Sequence, residues 1–234
     1  MVTNAADYPY RRNTLQPEML AMVPRARRLL DLGGGAGVWA AAAKRASGAE
    51  FAALVDISAE AVARRPAEVD AAEVLDLEAG DGLEDVLARH GPFDLVLCLD
   101  VLEHLVDPWR VVARLHAALP EGAQILASVP NMQNYRVVLR AATGSWHYRE
   151  SGLFDRTHLR FFSRRSAEAL MTGTGLELVA TGRAWGPARR DRLMAKASLG
   201  ALGPWVAMQT LLRVRKGPGS VRDPGFCGAE VPFA

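Results

Sequence analysis

Four glycines crowd the seven residues Asp31-Leu32-Gly33-Gly34-Gly35-Ala36-Gly37, just after the apolar segment Arg28–Leu32 and just before a helical run from Val38 to Ala46. A strand that ends in closely spaced glycines and enters a helix restricts the fold severely. Glycine admits positive φ and carries no Cβ, so a ligand can approach the backbone. The helix N-terminus beyond it adds unpaired N–H groups. In an open α/β sheet such a turn lies at the carboxyl ends of the strands, where ligands bind. Spacing then selects among ligands. A dinucleotide turn needs G-x-G-x-x-G, but the frame from Gly33 puts Val38 at the last position and the frame from Gly35 puts Ala40 there. No Gly-Lys-Ser/Thr follows, so a Walker loop is excluded. A plain tight connection is the structural alternative. Asp56 weighs against it, because it ends the second apolar strand, where a carboxylate can accept from both hydroxyls of a ribose. Its bland role would be to cap the helix after Ser58, which Ser58 can do itself.

The rest of the chain repeats the strand–helix rhythm. Strands are expected at Phe51–Asp56, Glu73–Leu77, Phe93–Leu99, Gln124–Val129, Leu176–Thr181 and Thr210–Arg215. Helices are expected at Leu15–Val23, Ser58–Arg64, Leu83–Arg89, Pro108–Leu119 and Arg165–Thr172. Alternation of this kind implies βαβ units and a parallel sheet, an α/β fold. Half of the 234 residues are apolar, which suits one domain with a full core. The rhythm breaks at 131–162, an aromatic and arginine-rich stretch read as an insertion that caps the substrate. It breaks again at 189–208, read as an added helix interrupted near Gly203-Pro204. Residues 217–234 hold three prolines and four glycines and read as a flexible tail, leaving 1–216 as a single domain.

A formal net charge of +2 does not call for nucleic acid. Cys98 and Cys227 lack metal or disulfide spacing, so a reduced, cytoplasmic protein is expected. Residues 1–13 have no apolar core of the signal-peptide kind. The apolar stretch Leu193–Val214 is interrupted by Lys196, Gly200, Gly203 and Pro204, so no stable membrane insertion is expected.

With these residues assembled, the sequence resembles the class I S-adenosylmethionine-dependent methyltransferases, in the small-molecule branch that includes the ubiquinone-type O-methyltransferases. The likeness runs from about Tyr8 to Lys216. Asp31–Gly37 looks like the family's first motif, with Gly34 where cysteine is frequent, and Asp56 matches its ribose-binding acid. Phe93–Pro108 looks like its fourth-strand motif, and Ser128-Val129-Pro130-Asn131 like the end of its fifth strand. Gly152–Phe162 resembles a segment of bacterial members in secondary-metabolite or surface-glycan pathways. The resemblance implies a three-layer, Rossmann-like, seven-stranded and mostly parallel sheet with an antiparallel last strand.

It also implies S-adenosylmethionine as cofactor, S-adenosylhomocysteine as product, and methyl transfer to an O or N atom of a small molecule. The positions expected to meet the cofactor are Asp31, Gly33, Gly35, Gly37, Asp56, Ile57, Asp76, Leu77, Leu99 and Asp100. Of these, Asp76 would accept from the adenine amino group and Leu77 would cover the ring. His158 is the candidate general base, and His104 competes with it. Asp100, Glu103 and His104 resemble a D/E-x-x-E-H spacing linked to a metal in ubiquinone-type enzymes. No metal is assigned, because Asp100 is equally placed to contact the methionine end of the cofactor. Between Asn131 and Arg165 stand seven arginines, no lysine and only Glu150 and Asp155, locally +5. Arginine suits bidentate contact with carboxylate or phosphate, so an acidic substrate group is expected. Tyr10, Arg149, Phe154 and Arg156 are the expected substrate contacts. Solvated or paired arginines are the plain alternative. A homodimer is compatible with all of this. The competing readings are a non-catalytic cofactor-binding or interaction module, a nicotinamide oxidoreductase, which the glycine spacing disfavours, and an RNA methyltransferase, whose Asn/Asp-Pro-Pro-Tyr-type motif is missing.

Overall fold

The computed structural model describes residues 15–219, so Tyr10, Cys227 and most of the tail lie outside the described residues. Seven strands form one sheet: β1 (Arg28–Leu32), β2 (Phe51–Asp56), β3 (Ala71–Val74), β4 (Leu95–Leu99), β5 (Gln124–Pro130), β6 (Leu176–Ala184) and β7 (Gln209–Lys216). Their order is β3-β2-β1-β4-β5-β7-β6. The first five run parallel, and β7 is antiparallel to both β5 and β6. The order reverses between β1 and β4, which opens a crevice at their carboxyl ends.

The period-two alternation of strand side chains sorts the core onto two faces. Leu30, Leu32, Val96, Cys98, Ile125 and Ala127 join one buried cluster, with α4 (Gly82–His90), α5 (Pro108–Ala118) and α7 (Arg164–Thr172). Leu29, Leu54, Leu95, Leu97 and Leu126 join the other, with α1 (Pro17–Leu20) and α2 (Val38–Ser47). Alanines 40, 41 and 43 of α2 pack in that second cluster, and such small side chains let the helix lie close to the sheet. The short α3 (Ala59–Ala63) begins at Ser58, whose hydroxyl accepts from Ala61 N.

Several elements differ from the sequence reading: α1 is shorter than Leu15–Val23, and β6 runs past Thr181 to Ala184. The third strand is Ala71–Val74 rather than 73–77, because Asp76 turns the chain: its carboxylate accepts from Glu78 N and its carbonyl from Ala79 N. The insertion contains a helix, α6 (Tyr135–Ala142), started by the Asn134 side chain accepting from Arg136 N. The added helix is two helices. α8 (Arg189–Ala197) ends in a turn through Leu199 and Gly200, both at positive φ, and Gly203-Pro204 begins α9 (Gly203–Val206) instead of breaking a helix. Proline suits a first turn, where its missing N–H has no partner to lose.

Polar contacts bind the insertion to this second helical segment. Asn131 bridges Phe162, so the insertion starts and ends at one place. The amides of Asn131 and Asn134, both buried, donate to backbone carbonyls of Pro204, Val206 and Ala207. Arg136 grips the fully buried Asp191 of α8 through both carboxylate oxygens, at 3.1 and 2.8 Å. Arg136→Ala is expected to lower the unfolding free energy by ~3 kcal/mol, since it strands a buried carboxylate. The double change with Asp191→Ala should cost less, and urea denaturation of the two variants measures the difference.

Candidate active site

A cleft of about 700 Å³ opens where the strand order reverses. The glycine turn forms its floor. Gly33 and Gly35 have φ of 64° and 58°, and a Cβ at Gly33 would lie 2.5 Å from Val101 Cγ2, so the turn admits no side chain there. Asp56 pins the turn to the end of β2. One of its carboxylate oxygens accepts from Gly35 N at 2.8 Å, the other from Ser58 N at 2.8 Å. Each oxygen retains a second lone pair for a ligand. Ile57, Asp76, Leu77 and Leu99 line the same end of the cleft.

Asp31 and Gly37 support this floor from below and do not line the cleft. By the alternation along β1, Asp31 points to the α2 face, where it is 1% exposed. Its carboxyl accepts from Ala40 N in the first turn of α2, while Oδ2 has no partner among the described residues. A Cβ at position 34 would sit 2.4 Å from that oxygen and 2.5 Å from Leu54, which explains glycine there. Gly37, at φ 72°, is the left-handed residue that starts α2. Burial, reinforced by the negative Asp56 nearby, pushes the Asp31 carboxyl up to about 8.

The far end of the cleft is acidic and imidazole-bearing. Asp100 follows β4 at φ 54°, a conformation rare for a non-glycine residue. Ser128 Oγ holds its carboxylate at 2.9 Å and Gln209 Nε2 at 2.5 and 2.6 Å; Gln16 in turn donates to Gln209 at 2.9 Å. Next comes a 3₁₀ turn, Leu102–His104. The insertion docks on it: Leu159 N and Arg160 N donate to Glu103 O at 2.8 and 3.0 Å, and His104 Nδ1 contacts Thr157 O at 3.0 Å. A carbonyl only accepts, so Nδ1 is the donor in this contact. Docking sets His104 and His158 edge to face with centroids 4.9 Å apart. Glu103, His104 and His158 each place a donor atom within 4.8 Å of the others, a grouping able to hold a proton or a cation. Glu103 is 1% exposed, and neither carboxyl oxygen has a hydrogen-bond partner among the described residues. Burial, aided by Asp100 and Asp155, drives its carboxyl well above the ordinary range. Asp100, committed to Ser128 and Gln209, is not part of this grouping.

The expected substrate contacts fare differently. Gly152, Leu153, Asp155, Thr157 and His158 line the cleft, but Arg149, Phe154 and Arg156 do not. Arg149 and Arg156 are exposed, Arg156 is paired with Glu150, and Phe154 is buried under Trp146 and Arg140. Other arginines of the insertion are also engaged: Arg160 with Val106 O, Arg164 with Glu168, Arg136 with Asp191. The arginine that does reach the cleft is Arg192 of α8, paired with Glu18 at 2.9 Å.

Residues 7–181 match the family described as a methyltransferase domain. The chain belongs to that family. Among curated relatives, the ubiquinone biosynthesis O-methyltransferase of Aromatoleum aromaticum is 29% identical over 120 residues, 51% of this chain and 50% of that protein. The enzyme of the same name from Azotobacter vinelandii is 31% identical over 127 residues, with the same shares. The chain therefore spans about half the length of the curated relatives it matches. Among solved structures, an S-adenosylmethionine-dependent methyltransferase from Mesorhizobium loti has a TM-score of 0.55 at 18% identity, covering 85% of this chain and 96% of that one. The N-methyltransferase NodS from Bradyrhizobium japonicum WM9, in complex with S-adenosylhomocysteine, has 0.52 at 14%, covering 86% and 83%. Family and fold together are those of the class I S-adenosylmethionine-dependent methyltransferases, with the seven-stranded sheet and antiparallel strand β7 that the sequence resemblance implied.

The methyltransferase domain has a cleft that fits this cofactor chemically. Side-chain-free turns at Gly33 and Gly35, a carboxylate at Asp56 and apolar walls at Ile57, Leu77 and Leu99 suit a sugar and a flat base. Sequence reasoning missed Gln16, Glu18, Trp185, Met208 and Gln209, which also line the cleft. Gln209 was findable in principle: β7 runs antiparallel to β5 and pairs Gln209 with Pro130, so its first residue falls at the carboxyl edge.

Asp31 supplies a pH test of the floor. Its folded-state pKa of about 8 stands above the ordinary 3.8, so the folded state loses stability as pH rises through that interval. Between about pH 5 and pH 8, Asp31→Asn should gain thermal stability relative to the parent chain. Melting temperatures of both proteins at the two pH values decide this; a constant gap would contradict the buried, protonated Asp31.

Proposed function

We propose that this chain transfers a methyl group from S-adenosylmethionine to a hydroxyl or amino group of a small molecule. The observation that carries the reading is the continuity of one cleft, from the Asp56–Leu77 end to the grouping of Glu103, His104 and His158. When bound, the cofactor supplies an electrophilic methyl on a sulfonium. The protein's own work is alignment and exclusion of water, and alignment alone supplies ~7–11 kcal/mol in favourable cases. Gly33, Gly35, Asp56, Ile57, Asp76, Leu77, Leu99 and Asp100 are the positions assigned to hold the cofactor, with Asp31 and Gly37 shaping the turn beneath it. The acceptor lies toward His158, which takes its proton, with His104 alongside. An acidic substituent on the acceptor would meet Arg192 rather than Arg149 or Arg156.

The first test is calorimetry with S-adenosylhomocysteine and with NAD. Binding of the former alone is expected, and Asp56→Ala should weaken it at least ~10-fold, the worth of one charge-assisted hydrogen bond to the ligand. The second test is turnover with labelled cofactor and a panel of acceptors. His158→Ala should lower kcat by ~10²–10⁴-fold with S-adenosylhomocysteine affinity unchanged. An undiminished kcat would remove His158 from the mechanism. Binding without turnover on any acceptor would favour a non-catalytic module.

A further inference from the structure

The segment from α8 to α9 carries an apolar surface that the fold does not cover. Leu193, Met194, Leu199, Leu202 and Trp205 are exposed by 67, 42, 98, 41 and 46%. On α8 the buried ridge is Asp191 and Ala195, one turn apart. At 100° per residue Leu193 falls on the opposite side, with Arg189 and Lys196 on one flank and Arg190 and Met194 on the other. Leu199 adds a second observation. It sits at φ 50°, a conformation uncommon for leucine, and it remains almost wholly in solvent. That φ is the left-handed stop of α8, where Gly200 N donates to Ala195 O, so it is the exposure of the side chain that the fold leaves unexplained.

Charge narrows the possible occupants. On α8, Arg189 and Lys196 flank Leu193, while Arg190 lies near the buried Asp191 and Arg192 is paired with Glu18. A second copy of the chain, meeting this surface through a two-fold axis, would set the cations against themselves. The surface also projects: Leu199 and Leu193 stand outward on a helix and its terminal turn rather than lining a groove that would receive a peptide. Protruding leucines with an amphipathic tryptophan, flanked by arginine and lysine, match the headgroup boundary of a bilayer.

We infer that the α8–α9 face docks this protein reversibly on an anionic lipid surface, with Leu193, Leu199 and Trp205 entering the interface and Arg189 and Lys196 meeting the headgroups. No helix among the described residues is long and apolar enough to cross a membrane, so the attachment is peripheral. Trp185, Gly186 and Pro187, on the approach to α8, line the methyl-transfer cleft, as does Arg192, so docking holds the rim of that cleft beside the lipid.

The test is co-sedimentation of the full chain with vesicles of phosphatidylcholine alone and of phosphatidylcholine with about a quarter phosphatidylglycerol. Binding to the anionic vesicles only is expected, and it should fall on raising salt to about 0.5 M. Leu199→Ser with Trp205→Ala, and separately Arg189→Glu with Lys196→Glu, should each reduce it roughly tenfold or more. Unchanged melting temperature and S-adenosylhomocysteine binding show that the variants are folded. Failure to bind anionic vesicles, or equal binding by the variants, overturns the inference, as does a concentration-dependent dimer in sedimentation velocity that Leu199→Ser abolishes. The cofactor reading is tested separately, since calorimetry of the same samples reports it without lipid.

Discussion

At the carboxyl end of β2 a single carboxylate holds two loops in place. Asp56 accepts from Gly35 N and from Ser58 N, tying the glycine turn after β1 to the start of α3. That clamp needs a glycine turn that closes tightly, and the turn needs room beneath it. The room is filled by Asp31, protonated in the fold, capping α2 through Ala40 and leaving no space for a side chain at Gly34. Two carboxylates thus organise one turn in different ways. The solvent-facing one binds N–H groups, and the buried one gives up its charge because ionisation there would be uncompensated.

The opposite half of the cleft depends on a second contact, between chain segments far apart in sequence. The carbonyl of Glu103 receives the N–H groups of Leu159 and Arg160, and His104 meets Thr157 O. These bonds bring His158 against the 3₁₀ turn after β4. The insertion can reach there because its base is closed at Asn131 and Phe162 and its helix is fastened to α8 and α9 by Asn131, Asn134 and Arg136. Two of its arginines serve such fastening, Arg136 on Asp191 and Arg160 on Val106 O. A locally positive sequence reads as a substrate site only until the partners are visible, and here several of those partners are protein groups.

The sheet was largely legible from sequence because its signals are local. Apolar runs of strand length, glycine stops and proline starts marked β1, β2, α2 and α5 to within a residue or two. The misplaced β3 is an edge strand of four residues, where pairing with Ala53–Asp56 decides what is extended and apolar pattern carries little information. Gly33, Gly35, Asp56, Asp76 and Asp100 come together in one cleft because each stands at or just after the carboxyl end of a strand, and those ends converge in a parallel sheet. Arg149, Arg156 and Phe154 stand away from the cleft, which composition could not reveal, because it does not tell a solvent-facing arginine from one in a cleft.

By itself the sequence determined the α/β class and the glycine turn with its acid partner, because these depend on spacing within short segments, and the resemblance those motifs carry implied the kind of cofactor. Only the tertiary structure decided which groups share the far end of the cleft. Glu103, His158, Gln209 and Arg192 come from four separate elements, and no periodicity links them. Their meeting is set by an antiparallel strand inserted beside β5 and by an insertion that folds back onto β4's turn. The burial of Glu103 drives its carboxyl well above the ordinary range, a consequence that no linear pattern records.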